Sequence, residues 1–111
     1  MNISVLVWEN PNKSSGMSAQ TIQMDLSPYK AVEILCVDFV GSSSRQTINS
    51  CFIPIGNTGD VVCPYTEGTR LYNFSMRRFT VSTTGITMTT GINQSGMEAR
   101  NSVPYYVYGI K

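Results

Sequence analysis

Arg70-Leu71-Tyr72-Asn73-Phe74-Ser75-Met76-Arg77-Arg78-Phe79-Thr80-Val81-Ser82 is the longest extended run of the chain. Thr83-Thr84-Gly85 turns it, and Ile86-Thr87-Met88-Thr89 returns alongside. Tyr, Phe, Val, Ile and Thr suit a pleated, half-buried surface, so the unit reads as two antiparallel strands. The segments on either side follow the same pattern. Val61-Val62-Cys63 is a short strand before a loop from Pro64 to Thr69, and Gly56-Asn57-Thr58-Gly59-Asp60 is a hairpin-type turn. Gln46 to Ile55 is a strand that Pro54 places at a sheet edge or a bulge. From Ile34 to Val40 the residues are apolar except Asp38, which predicts a central strand covered on both faces.

Towards the N-terminus, Ser18 to Leu26 reads as a strand, and Ile3, Val5 and Val7 alternate with Ser4, Leu6 and Trp8 in another. Towards the C-terminus, Gly91 to Ser102 is the longest candidate loop, and Pro104 to Ile110 is the last strand. About eight short strands separated by Gly, Pro, Asn and Ser turns, with no amphipathic helix of ten residues, predict an all-β fold. The expectation is a single-domain antiparallel β-sandwich, jelly-roll-like, spanning residues 1–111.

Composition narrows the function. Charged residues are 14% of the 111, with a net charge of +1, where about a quarter is usual. That leaves no electrostatic footprint for nucleic acid and no polybasic patch for a membrane. Ser (13), Thr (11) and Asn (8) supply uncharged hydrogen-bonding surface instead. There is no histidine, which removes Ser-His-Asp and Cys-His catalysis, His-based zinc sites and an imidazole pH switch. Cys36, Cys51 and Cys63 have no C-x-x-C spacing and are odd in number, so they read as reduced thiols of a chain made in a cytoplasm. Met1-Asn2-Ile3-Ser4 opens no signal peptide, and no apolar window is long enough for a membrane helix, so the expectation is a soluble protein read from its own start codon. The sequons at Asn12, Asn73 and Asn93 are then chance matches.

Few residues suggest chemistry. The carboxylates Glu9, Asp25, Glu33, Asp38, Asp60, Glu67 and Glu98 are not paired by spacing as glycosidase chemistry requires. Asp38, inside an apolar strand, reads as hydrogen-bonded at the strand end or paired with an arginine such as Arg77 or Arg78. Those two arginines are adjacent in a strand, point to opposite faces and form no joint patch. The hydroxyls from Thr80 to Thr90 are explained by strand propensity alone. Neither a metal site nor a cofactor motif is present. The candidate ligand-binding residues are the aromatics Trp8, Tyr105, Tyr106 and Tyr108. Tyr106 and Tyr108 share one face of the last strand and Tyr105 takes the other. Exposed, such rings stack on sugars; buried, they make core or subunit contacts.

Five blocks appear in order along the chain: Val7-Trp8-Glu9-Asn10-Pro11; Met17-Ser18-Ala19-Gln20-Thr21-Ile22; Asp25-Leu26-Ser27 with Tyr29; Arg77-Arg78-Phe79-Thr80-Val81-Ser82-Thr83-Thr84-Gly85-Ile86; and Tyr106-Val107-Tyr108-Gly109-Ile110-Lys111. Together they resemble small proteins, and C-terminal modules, encoded among tail and tail-fibre genes of phages and prophages of Gram-positive gut bacteria. The resemblance carries over no catalytic or binding residue. It implies a non-enzymatic virion structural protein of a tail fibre, baseplate or capsid surface, made in the bacterial host cytoplasm. It further implies β-rich structure, oligomers with a homotrimer favoured, contact with other virion proteins and a role in host-surface attachment. The alternative reading is a carbohydrate-binding module that recognises a cell-surface glycan through Trp and Tyr stacking. A small hydrolase using carboxylates is the third.

Overall fold

Nine strands are laid out in the computed structural model, which describes residues 3–13, 16–39, 46–67, 70–93, 95–96 and 102–111, with the side chains of 38–39, 46–47, 65–67 and 70–73 outside that description. They are β1 (Ser4–Glu9), β2 (Gln20–Gln23), β3 (Ala31–Phe39), β4 (Gln46–Pro54), β5 (Thr58–Glu67), β6 (Arg70–Ser82), β7 (Gly85–Met88), β8 (Ile92–Asn93) and β9 (Val103–Ile110). No helix occurs among the described residues. Two antiparallel sheets pack face to face, one ordered β1-β9-β3-β4 and the other β2-β7-β6-β5 with β8 also paired to β6. The fold is therefore the expected β-sandwich. Pairing β1 with β9 in one sheet and β2 with β7 in the other gives it the nested character of a jelly roll, whereas β3-β4 and β5-β6-β7 are plain sequential neighbours.

Three expectations change in detail. The turn after β4 does not close a hairpin, because β4 and β5 belong to different sheets. It docks onto β6 instead: the Gly56 N–H donates to the Val81 carbonyl at 2.8 Å, and the Val81 N–H donates to the Asn57 carbonyl at 3.0 Å. Gly56 has φ +89°, a left-handed conformation that suits glycine. Secondly, β5 runs on through Pro64 to Glu67 where a loop was expected. It pairs only with β6, and an edge strand tolerates a proline because one side of its backbone has no ladder to donate to. Thirdly, β2 is four residues long, and Leu26, expected in that strand, instead buries itself beyond its end. Pro54 does lie at an edge, closing β4. The loop expected at 41–44 lies outside the described residues.

The main core fills the gap between the sheets. Val32, Ile34 and Cys36 of β3 and Val107 of β9 meet Val61 and Cys63 of β5, Phe79 and Val81 of β6 and Ile86 and Met88 of β7. Each large apolar side chain buried here contributes about 1.5–3 kcal/mol relative to exposure. β3 is interior to its sheet, as its apolar run predicts. On its inner face Val32, Ile34 and Cys36 are buried; on its outer face Glu33 and Leu35 are only half-buried, so the cover expected on both faces is incomplete on the outer one. Gly59 points into the core where a Cβ would lie 2.7 Å from the Ile53 Cγ1, so glycine there makes room for β4.

Arg77 is the unusual core residue, 1% exposed. It projects inwards from β6, beside Ser75 and Phe79 on the same face. Its guanidinium donates to the Ser102 carbonyl at 3.0 Å, the Thr89 carbonyl at 2.8 Å and the Met17 carbonyl at 3.0 Å. One side chain thus ties three connecting segments to the strand. Burial pulls its pKa below the ordinary arginine value. Beside it Ser75 and Ser102 share a hydroxyl hydrogen bond of 2.8 Å, and Ser102 holds φ +54°. A second, smaller cluster joins Val37, Val103 and Tyr105, with Met17 packed against both clusters.

Candidate functional site

The outer face of the first sheet is built by register. Leu6 of β1 lies opposite Tyr108 of β9, Tyr108 opposite Glu33 of β3, and Glu33 opposite Phe52 of β4. The next row is Glu9, Tyr106, Leu35 and Ser50. Leu6 is 48% exposed, Phe52 58%, and Ile48 on the same face of β4 59%. Tyr106, Tyr108, Leu35 and Glu33 are half-buried by one another. The ring centres of Tyr106 and Tyr108 are 6.3 Å apart with planes tilted by 34°. Lys13 places its Nζ 5.2 Å from the centre of the Tyr106 ring and pairs with Glu9. The hydrogen bond that Lys13 donates to the Glu9 carboxylate raises the Lys13 pKa.

Two irregularities decide which aromatics reach this face. The β9–β3 ladder skips Tyr105, and the β1–β9 ladder skips Val7. A bulge inserts one residue and breaks the strict alternation of side chains. Val7 and Trp8 consequently both lean on the main core, and Trp8 is half-buried there. Tyr105 is 8% exposed within the smaller cluster, and its hydroxyl donates to the Lys13 carbonyl. Burial raises its pKa. Of the four candidate aromatics the structure brings three together: Tyr106 and Tyr108 on the open surface, and the buried Tyr105 ring edge-on to Tyr106 with centres 6.4 Å apart, although alternation puts it on the other face; Trp8 alone is placed elsewhere, against the main core.

The outer face of the second sheet is chemically different. Thr21, Thr87, Thr80 and Thr58 form one row across β2, β7, β6 and β5. Their hydroxyls bond to each other, Thr21 with Thr87 at 3.0 Å and Thr58 with Thr80 at 3.1 Å. Arg78 forms a two-pronged contact with Asp60 across β5 and β6, at 2.8 and 3.1 Å. Arg77 and Arg78 do face opposite ways, and Arg78 takes Asp60 as its partner; the side chain of Asp38 lies outside the description. Through its hydrogen bonds Arg78 holds the Asp60 carboxyl below its usual range. Asp25 is lowered by the hydroxyl and N–H of Ser27. Among the described residues no group of three His, Cys, Asp or Glu side chains gathers as a metal site. None of the three cysteines is in a disulfide; Cys36 and Cys63 are buried, and burial pushes the Cys36 thiol well up.

Sequence reasoning missed the breadth of the apolar outer face. Its signal was present in the failure of alternation: Leu6-Val7-Trp8 and Cys51-Phe52-Ile53 are apolar at both parities, so both sides of those strands carry apolar side chains. Compared with protein-family models, with curated proteins and with solved structures, the chain matches none.

Proposed function

We propose that this chain is a non-enzymatic assembly module of a phage virion, a building block of a tail fibre, baseplate or capsid surface. The observation that carries the reading is the outer face of the first sheet, where Leu6, Phe52 and Ile48 stand about half exposed around Tyr106 and Tyr108. A soluble monomer rarely leaves a contiguous apolar patch of more than a few hundred Å² uncovered. The opposite face, with its threonine row and its Arg78–Asp60 pair, has the finish of a solvent surface. The sequence blocks that resemble phage tail genes supply the setting. Mass spectrometry of purified particles from a phage or prophage carrying the gene tests it, with immunogold labelling by an antibody to the chain. The chain at fixed stoichiometry in intact particles is the expected result; its absence from them defeats the proposal.

One observation favours a second reading. Tyr106 and Tyr108 offer adjacent rings flanked by Glu9, Glu33 and Lys13, the combination of stacking surface and polar neighbours that a host-surface glycan requires. Calorimetric titration with host cell-wall polysaccharide, repeated with Tyr106→Ala, tests it. Heat that vanishes in the variant supports glycan attachment.

A further inference from the structure

We propose that the apolar face of the first sheet is covered by the same face of a second copy of this chain, in a twofold pair whose axis runs along the strands between β9 and β3. The inference rests on the assembly reading and names its partner.

The face is complementary to itself. A twofold axis lying between two facing sheets and parallel to the strands keeps each row level and reverses its order. The row Leu6, Tyr108, Glu33, Phe52 then meets itself read backwards. Leu6 lies over Phe52 of the second copy, and Tyr108 lies over Glu33. The second row places Tyr106 over Leu35. Apolar side chains thus meet apolar ones. The face's interior carboxylate, Glu33, receives a phenol hydroxyl from across the interface, and symmetry makes each contact twice. An axis across the strands would instead stack β1 on β1 and β3 on β3, leaving Glu33 without this donor.

Size agrees. The four strands hold 6, 8, 9 and 9 residues. At about 4.8 Å between strands and about 3.3 Å per residue the face is roughly 500 Å² in flat projection. Side-chain relief brings that towards the roughly 800 Å² each partner buries in a standard interface. Charge agrees too. A net charge of +1 opposes association little. Among the described residues nothing basic is massed on the face for an anionic partner, since its Lys13 is already paired with Glu9. The resemblance implied three copies; these rows are satisfied by two.

Sedimentation equilibrium gives the first test. Wild type is expected at twice the chain mass of 12.2 kDa. Phe52→Glu alters a residue 58% exposed, so it should keep its far-UV spectrum and sediment as a monomer. Tyr108→Phe removes two symmetry-related bonds to carboxylate and should raise the dissociation constant by roughly 100–10,000-fold. The second test is geometric. Leu6 and Phe52 stand at opposite edges of one sheet, about 14 Å apart at three strand spacings, whereas facing residues of two packed sheets lie about 10 Å apart; both exceed the roughly 7 Å limit for a direct disulfide. The double variant Leu6→Cys with Phe52→Cys, treated with a bifunctional thiol reagent long enough for the gap between facing sheets and too short to cross one sheet, can therefore crosslink at these positions only between copies. A band of twice the chain mass on a non-reducing gel, absent from either single variant, supports the pair. A monomeric or trimeric wild type overturns it, as does a dimer that Phe52→Glu leaves intact or that the double variant fails to crosslink. Because incorporation into virions is measured separately, a monomer found in particles defeats the pair and leaves the assembly reading standing.

Discussion

Replacing Arg77 with Met should cost more stability than replacing any surface residue, and the geometry fixes the scale. Methionine keeps an unbranched apolar stem in a site that is 1% exposed but removes donors to the Ser102, Thr89 and Met17 carbonyls. Hydrogen bonds from a charged donor are worth about 1.5–3 kcal/mol each, so three amount to roughly 5–9 kcal/mol gross. The desolvation of the guanidinium opposes that sum, and removing one side of a buried charged contact costs about 3–5 kcal/mol net. The carbonyls of Thr89 and Met17 sit in part-buried bonds and regain water, whereas that of Ser102 is in a buried one. An expected loss of about 4 kcal/mol follows, a large share of the 5–15 kcal/mol of an ordinary domain. The melting temperature should fall by roughly 15–25 °C. Arg77→Lys retains the charge but not the planar fork and should fall between the two. Urea titration followed by Trp8 fluorescence and by far-UV circular dichroism measures both variants. Amide exchange at Ser102 and Val103 should accelerate in step, because Ser102 loses the group that holds its carbonyl. If Arg77→Met unfolds within about 1 kcal/mol of wild type, the worth of one ordinary hydrogen bond, the guanidinium does not organise the three segments and the reasoning is refuted.

Thiol titration with a chromogenic disulfide should find Cys51 reacting first in the native protein, Cys36 and Cys63 only on unfolding, and all three in denaturant without reductant. Fewer than three would reveal a disulfide. Gly59→Ala should cost about 1–3 kcal/mol through overpacking against Ile53, and combined with Ile53→Ala the two losses should sum to less than their separate values; strict additivity would show that the contact is relieved elsewhere. Stability should be nearly flat between pH 5 and 8, where no histidine titrates. Because its folded-state pKa is depressed, Asp60 stabilises the fold above its unfolded pKa of about 3.9 and loses that contribution as the pH falls through the folded value. The pair is exposed and screened by solvent, so its contribution is small. Asp60→Asn should therefore flatten the acid limb of the stability curve and leave the neutral plateau nearly unchanged.

The class of the fold was legible because its signals are local. Alternation in Ile3 to Val7, the turn at Thr83-Thr84-Gly85 and the apolar run of β3 each report a strand without reference to anything distant. What was not legible depends on contacts between remote segments. Nothing near Pro64 says that one side of its strand lacks a neighbour, so a strand read as a loop. The residue pattern around Tyr105 gives no sign that a ladder skips it, so alternation does not show that its ring packs edge-on against Tyr106, nor that the bulge in the first strand turns Trp8 towards the core. An arginine beside another arginine says nothing of which one is swallowed; the choice of Arg77 is made by the inward parity of β6, set by Phe79 and Ser75. The candidate site was half visible for the same reason: Tyr106 and Tyr108 share a face by simple alternation, while Leu6 and Phe52 join them only through the sheet order.

That sheet order also sets a sequence of events in time. Among the described residues the first strand is hydrogen-bonded to the ninth alone, with Ser4 opposite Ile110. Closing a loop of this length costs about 4 kcal/mol of chain entropy, against about 1 kcal/mol for a tight turn such as that between β6 and β7. The meander β5-β6-β7 can therefore form from neighbours, whereas the first sheet has no complete interior until β9 inserts between β1 and β3. Refolding should show the second sheet gaining protection early and β1 last, at the slow rates of folds dominated by distant pairings. During that interval the edge of β3 that later receives β9 has no strand to pair with, and the chain is most vulnerable to pairing with its neighbours in solution before its own last strand arrives.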